Sequence, residues 1–287
     1  MSEPALAVLF ALLAAVSNAL ATVLQRKAAQ NVPQAHAFSF RLMLDLLHTP
    51  VWLGGIAAVI CAAACQALAL TFGSLALVQP LFVSELPFAL VIASFVLHRR
   101  LPGYGWAAVV MVAAGLALAL AAAAPHGGRA QVPADVWAYT LIAATGVTAG
   151  CVGVALRRPG GRARAALFGA AAAIGYAVTA ALMKAAAITF EQEGTAAFFT
   201  DWQTYGFFAT GACALFLLSN AMQSGPLVAS QPALTLGDAT VSLILGMLVF
   251  HEHIRTGWWL LPEAVGVLLI VIGTTILPRV PYAQTLR

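Results

Sequence analysis

Two acidic side chains lie within apolar stretches of the sequence, where an ionised group is costly. Glu85 and Asp238 each follow about nine to eleven residues of an apolar run, a depth of roughly 13 to 17 Å at 1.5 Å per helical residue. In a bilayer such a group costs several kcal/mol unless it meets a wet cavity or a partner, and it commonly marks an ion or proton pathway. We predict that both carboxyls bind a cation or exchange protons. The alternative is a protonated carboxyl hydrogen-bonded to a neighbouring helix.

Prolines and polar residues accompany these two acids. Pro80 and Pro87 bracket Glu85, and Pro232 precedes Asp238 by six residues. Each proline ring removes a donor and frees the carbonyl four residues earlier, which suits cation coordination or, equally, a packing kink. Further polar residues within apolar runs are Asn18, Gln79, Tyr176 and Gln231. These four are candidates for lining a substrate or proton cavity, and interhelical hydrogen bonding is the alternative.

Helices that cross a membrane must position these side chains, because the composition is that of a membrane protein. Of 287 residues, 62% are hydrophobic and 8% are charged, whereas a soluble domain carries about 25% charged residues. Apolar runs long enough to span a bilayer lie near residues 4–25, 51–72, 76–97, 104–124, 135–156, 166–187, 204–223, 227–249 and 258–277. We predict an all-α, polytopic integral membrane bundle of about nine transmembrane helices.

Basic residues indicate the orientation of this bundle. Of the 14 lysines and arginines, 11 fall on the side reached after the first span and three on the other. Because basic residues concentrate in cytoplasmic loops, we predict a multi-pass plasma membrane protein with its N-terminus outside and its C-terminus in the cytoplasm. The net charge of +4 then reflects orientation rather than nucleic-acid binding. Counting 30–48 as a tenth span weakens the asymmetry, so we favour an interfacial segment at 26–50 and leave the tenth span open.

An internal repeat divides the chain into two units. The segment 73–80 aligns with 225–232, both ending in Gln-Pro, and after a one-residue slip Glu85 meets Asp238. The two copies are displaced by five spans, an odd number, so corresponding helices run in opposite directions. We therefore predict an inverted 4+1+4 repeat. Its parts are a first repeat at 1–124 that includes the segment 26–50, a linker helix within 125–164, and a second repeat at 165–287.

The motifs at the repeat boundaries resemble the drug/metabolite transporter superfamily, the EamA-like proteins. The resemblance lies in the run Ala76-Leu77-Val78-Gln79-Pro80 and in its counterpart, which ends at Gln231-Pro232. Helices of that superfamily commonly close with Gly-Glu-x-Leu. Glu252 and Ile254 fit this pattern, and His251 replaces the glycine. The resemblance implies a secondary transporter that moves a small metabolite or cation by alternating access.

A second resemblance concerns the layout of the spans. Nine spans with an external N-terminus, and Trp52-x-x-Gly55 leading into the Ala-Leu-Val-x-Pro run, are similar to the NIPA-type magnesium-transporter branch. This resemblance implies a magnesium or other divalent cation transporter as the alternative function. No set of metal ligands can be assigned from it, so the identity of any metal site is unknown.

Other functional classes have weaker support in the sequence. An intramembrane enzyme would need a nucleophile with its base, or paired acidic metal motifs, and neither pattern occurs. We predict no enzymatic activity and no cofactor, while a non-transporting or enzymatic multi-span protein remains a second alternative. The expected partners are the small-molecule or cation substrate and the lipid bilayer. A homodimer is left open.

Two charged features near the outer boundary receive plain structural interpretations. The triplet His251-Glu252-His253 follows an apolar run, and we interpret it as a solvated helix end rather than a metal site, because it lacks the His-x-x-x-His spacing. Lys184 lies about one or two turns from the same boundary, where a lysine can extend its amine to water.

Overall fold

The protein is an α-helical bundle. The computed structural model describes residues 3–30, 50–96, 102–129, 131–224 and 227–276. Within them a 3₁₀ turn covers Gly257–Trp259. The helices are α1 (Glu3–Gln30), α2 (Pro50–Phe72), α3 (Leu75–Phe82), α4 (Glu85–Val96), α5 (Gly103–Ala123), α6 (Ala134–Leu156), α7 (Arg162–Thr200), α8 (Trp202–Ser224), α9 (Leu227–Leu248) and α10 (Leu260–Ile276).

The length and apolarity of these helices confirm a helical membrane protein. In the described part of the chain, eight helical segments are long and apolar enough to cross a bilayer, with α3 and α4 together forming one of them. Helix α9 contributes a shorter apolar stretch, Ala233–Leu248. The count of nine and the inverted repeat stay predictions. The question of a tenth span at 30–48 falls almost entirely on residues outside the described ranges.

Two helices extend further than the sequence predicts. Helix α1 continues to Gln30, so residues 26–30 of the expected interfacial segment are helical. Helix α7 continues to Thr200, beyond the end of the apolar run expected at 166–187. The chain bends within α7 at Gly194, where φ is 86° and ψ is −174°. Glycine reaches that backbone conformation without a Cβ clash, so the helical chain can change direction there and continue.

Small residues let neighbouring helices approach closely. A Cβ on Gly115 of α5 would lie 2.6 Å from the carbonyl oxygen of Gly266 in α10. A Cβ on Gly237 of α9 would lie 2.8 Å from the Cβ of Ala173 in α7. Such contacts are the usual means by which helices associate in lipid, where no hydrophobic driving force acts between them. The second contact brings Asp238 close to α7.

The third apolar segment is broken into α3 and α4. Pro80 lies inside α3, and the amides of Val83 and Ser84 turn back to the carbonyls of Pro80 and Leu81 at 3.0 Å each. Pro87 has no amide hydrogen to donate to the carbonyl of Val83, four residues earlier. The helix therefore restarts at Glu85, which occupies the first turn of α4.

Candidate functional site

Glu85 lies at the helix break and faces polar groups of α1. Its side chain is half-buried. The Asn18 amide donates a hydrogen bond from Nδ2 to Glu85 Oε2 at 2.8 Å, and the Thr22 side chain also hydrogen-bonds the carboxyl. Asn18 and Thr22 are one helical turn apart, so one face of α1 presents both groups to the acid. The carboxyl is thus held in one orientation by two neutral partners.

Asp238 lies on α9 and shares a neighbour with Glu85. The Tyr176 side chain on α7 is within electrostatic range of both carboxyls. Both Tyr176 and Asp238 are half-buried. The Ser242 hydroxyl lies 3.4 Å from Asp238 Oδ1, a long hydrogen bond. We group Asn18, Glu85, Tyr176 and Asp238, from α1, α4, α7 and α9, as the acid cluster, because Asn18 bonds Glu85 and Tyr176 is within electrostatic range of both acids.

The remaining candidate residues stand apart from this cluster or outside the description. Gln79 is buried at 3% exposure, and its Nε2 has no hydrogen-bond partner among the described residues. Pro87 is buried in α4. The backbone of α9 is helical through residues 231 and 232, so Pro232 does not break it. The side chains of Gln231 and Pro232 lie outside the described set.

A cavity of about 230 Å³ lies away from the acid cluster. Gln131, Trp137, Glu193, Asp201 and Gln203 are among its lining residues, and none of the sequence-predicted site residues is. In this conformation the acid cluster therefore does not open into that cavity.

A second buried polar cluster contradicts two of our interpretations. Lys184 is 5% exposed and Glu252 is 3% exposed, and their Nζ and Oε1 atoms are 2.6 Å apart. Lys184 therefore does not extend its amine to water, and Glu252 is not a solvated helix end. Both errors have one cause: Lys184 and Glu252 are far apart in sequence, so the sequence did not show that they pair with each other instead of with water.

The start of α3 completes the coordination of Glu252. The amides of Leu75 and Ala76 donate to Oε1 and Oε2 of Glu252 at 2.6 and 2.8 Å. These are free donors of a helix N-terminus, which favours negative charge. The aromatic ring of Phe250 lies 4.7 Å from Lys184 Nζ. We call these five residues the latch cluster, and the end of the bundle that holds them the capped end.

Two features of the sequence are related to the latch cluster. Lys184 is a charged residue among alanines of an apolar run, and Glu252 is the acid of the Gly-Glu-x-Leu-like motif. Neither fact names its partner, because no periodicity links residues 68 positions apart in the chain.

Cysteines and metal-ligand groups show no further centre in the described ranges. Cys61, Cys65, Cys151 and Cys213 are free thiols. No three His, Cys, Asp or Glu side chains of the described residues come together in a way that could hold a metal ion.

Comparison with other proteins adds one relative. An uncharacterized protein of Corynebacterium glutamicum is 28% identical over 97% of this chain and 96% of its own length. No family model and no solved structure matches the sequence. The similarity therefore extends over nearly the full length of both chains but brings no function with it.

Proposed function

We propose that this protein is a secondary transporter of the drug/metabolite type, which moves a small metabolite or cation across the plasma membrane by alternating access. The observation that carries the proposal is the acid cluster. It combines two carboxyls inside a membrane bundle with a helix that is broken at one of them. Broken helices beside buried acids are typical of substrate and coupling-ion sites in transporters.

The charges of the cluster favour a cationic substrate or a proton. Glu85 and Asp238 are acidic, and the groups described around them, on Asn18, Thr22, Tyr176 and Ser242, are neutral. Lys184 is a buried cation, but it bonds to Glu252 at the capped end. A bound ammonium group or a proton would therefore supply the positive charge that the acid cluster lacks.

Orientation and repeat architecture belong to the same proposal. We place the N-terminus outside and the C-terminus in the cytoplasm, which assigns the capped end to the outer face. Nine spans in an inverted repeat would give the two acids equivalent depths from opposite faces. Alternating access would then expose Glu85 and Asp238 to each side in turn.

Magnesium transport is the alternative within the same site. Mg²⁺ prefers oxygen ligands, retains several waters and is often held by one or two carboxylates, which the acid cluster could provide. A thermal-shift screen of the purified protein against MgCl₂, other divalent chlorides, amino acids and tetramethylammonium would separate the candidates. Stabilisation by MgCl₂ that disappears with Glu85→Gln and Asp238→Asn would favour magnesium.

Transport itself is tested in proteoliposomes with the ligand that the screen identifies. Glu85→Gln combined with Asp238→Asn should reduce saturable uptake at least about tenfold, the equivalent of 1.4 kcal/mol, at equal protein levels. The matched control is Glu191→Gln combined with Asp135→Asn, which neutralises two exposed acids and should leave uptake unchanged. Uptake that survives the first pair would refute the assigned site. A chain that carries no ligand across the bilayer would favour the non-transporting or enzymatic alternative.

A further inference from the structure

The latch cluster connects parts of the chain that are far apart in sequence. Glu252 follows α9, Lys184 belongs to α7, and Leu75 begins α3. A single carboxylate thus ties the start of α3 in the first half of the chain to two elements of the second half. All three contacts involve buried atoms, so they define how these elements meet at the capped end.

Loops at the capped end hold the carboxylate in place. Arg129 donates its backbone amide to the carbonyl of Phe250 at 2.6 Å and its Nε to the carbonyl of Val249 at 2.8 Å. The backbones of His126 and His253 pair with each other at 3.0 and 2.9 Å. Trp137 packs edge-on against the Phe250 ring with centroids 6.2 Å apart. Backbone and side-chain contacts therefore join the loop that follows α5 to the loop that follows α9, which carries Glu252.

The chemistry of the cluster suits a contact that closes and reopens. Two buried ions lose their hydration when they pair, and this cost offsets most of their attraction. When the pair separates into water, both ions recover that hydration. A hydrophobic plug of the same size would instead expose apolar surface on opening. The ion pair therefore favours one geometry of the contact, while the net free energy that holds the contact closed stays small.

The third apolar segment consists of two separate helices, α3 and α4. Helix α3 packs against α9 and α1, and α4, which carries Glu85, packs mainly against α1. The latch cluster holds the first residues of α3, and the helix break lies at its other end. Release of Glu252 would free α3 to turn about the break, directly beside the acid cluster.

We propose that Glu252 is the latch of a gate at the capped end, which closes when its carboxylate joins Lys184 to the α3 amides of Leu75 and Ala76. The gate rests on the proposed alternating-access function and adds its conformational control. In the closed state α3 seals the path to the acid cluster. In the open state Glu252 and Lys184 are hydrated and α3 is displaced.

Thiol accessibility tests the latch without substrate. Val78 lies on α3, Val112 lies on α5, and both are 0% exposed. Each is replaced by cysteine, singly, in a chain whose native cysteines are alanine. The protein is held in lipid nanodiscs, so a hydrophilic, membrane-impermeant thiol reagent reaches both faces. The labelling rate is then measured with and without Glu252→Gln or Lys184→Met.

We expect the labelling rate of Val78→Cys to rise at least about tenfold with Glu252→Gln, and by less with Lys184→Met, which leaves the two α3 amides bonded to Glu252. Val112→Cys should stay protected in both. An unchanged rate at position 78 would overturn the latch. Equal increases at both positions would also overturn it, because they would show general loosening rather than a gate.

Charge reversal tests the part played by α3. In Lys184→Glu combined with Glu252→Lys the ion pair can re-form, but a lysine cannot accept the two α3 amides. We expect the Val78→Cys site to remain accessible. Full protection would show that the ion pair alone seals the end and would overturn the role of α3.

The outcomes separate the latch from the transport proposal. If the labelling rate is unaffected by the latch substitutions while uptake depends on Glu85 and Asp238, the latch is refuted and the transport proposal stands. Labelling that responds as expected, in a chain that transports nothing, would refute the proposed transport function instead.

Discussion

Removing one partner of the Lys184–Glu252 pair should destabilise the protein, and the acid should matter more than the base. In Lys184→Met the carboxylate keeps its two α3 amides and loses one charge-assisted hydrogen bond, which is worth about 1.5–3 kcal/mol. In Glu252→Ala the buried ammonium loses its partner, at about 3–5 kcal/mol, and both amides lose their acceptor. The expected costs are therefore about 2 kcal/mol for Lys184→Met and about 5 kcal/mol for Glu252→Ala.

Thermal unfolding in lipid nanodiscs, followed by tryptophan fluorescence, measures this order. At about 2–4 °C per kcal/mol for chains of 150–250 residues, the midpoint should fall by about 4–8 °C for Lys184→Met and about 10–20 °C for Glu252→Ala. Trp137, one of six tryptophans, contacts Phe250 of the latch cluster, so part of the fluorescence signal comes from this region. The control is Lys27→Met, which removes an exposed lysine and should shift the midpoint by less than about 2 °C.

The double substitution Lys184→Met with Glu252→Gln completes the test. It leaves no buried charge, so it should be more stable than Glu252→Gln alone, with a coupling energy of about 1.5–3 kcal/mol. Two results would refute the reasoning. One is an additive double substitution, and the other is a midpoint shift for Lys184→Met no larger than that of Lys27→Met.

Two further substitutions probe the latch cluster and the acid cluster. Gly246→Ala should lower the unfolding midpoint by about 4–8 °C, since its Cβ would collide with Glu252 Oε2 and such overpacking costs about 1–3 kcal/mol. The control Gly146→Ala has no neighbour within 4 Å of its new Cβ, so it should leave the midpoint unchanged or slightly raised. Equal losses in the two variants would contradict the contact between Gly246 and Glu252. Asn18→Ala removes the donor to Glu85, so the ligand found by thermal shift should bind about 3–10-fold more weakly, and unchanged affinity in a dose series would exclude Asn18 from the site.

The helical membrane architecture could be predicted because its causes are local. Twenty apolar residues in a row have few stable states other than a spanning helix, since lipid offers the backbone no hydrogen-bond partners. The expected runs 104–124 and 135–156 differ from α5 and α6 by one residue at three ends and agree at the fourth. Pro80 and Pro87 likewise indicated where the third segment breaks.

The latch cluster could not be predicted because its contacts are distant in sequence. Glu252 and Leu75 are 177 residues apart, and nothing in either local sequence specifies that one accepts from the other. Residues near a helix end in apolar surroundings were assigned to water by default, which is correct for most such residues and wrong here. The length of α7 beyond residue 187 could not be predicted either, because the apolar run ends there and hydropathy shows where a segment can lie in lipid, not where its helix ends.

The burial of Glu252 follows from the turn that precedes it. His251 has a φ of 52°, in the left-handed region that costs a non-glycine residue about 1–2 kcal/mol. This turn reverses the chain after α9, and the Glu252 amide bonds back to the carbonyl of Gly246 at 2.9 Å. The side chain is thereby directed into the bundle, over a glycine that leaves room for its carboxylate. The strained turn at His251 therefore directs the acid at Lys184, where the sequence alone suggested a hydrated loop, and backbone strain of this kind supports the proposal of a gate.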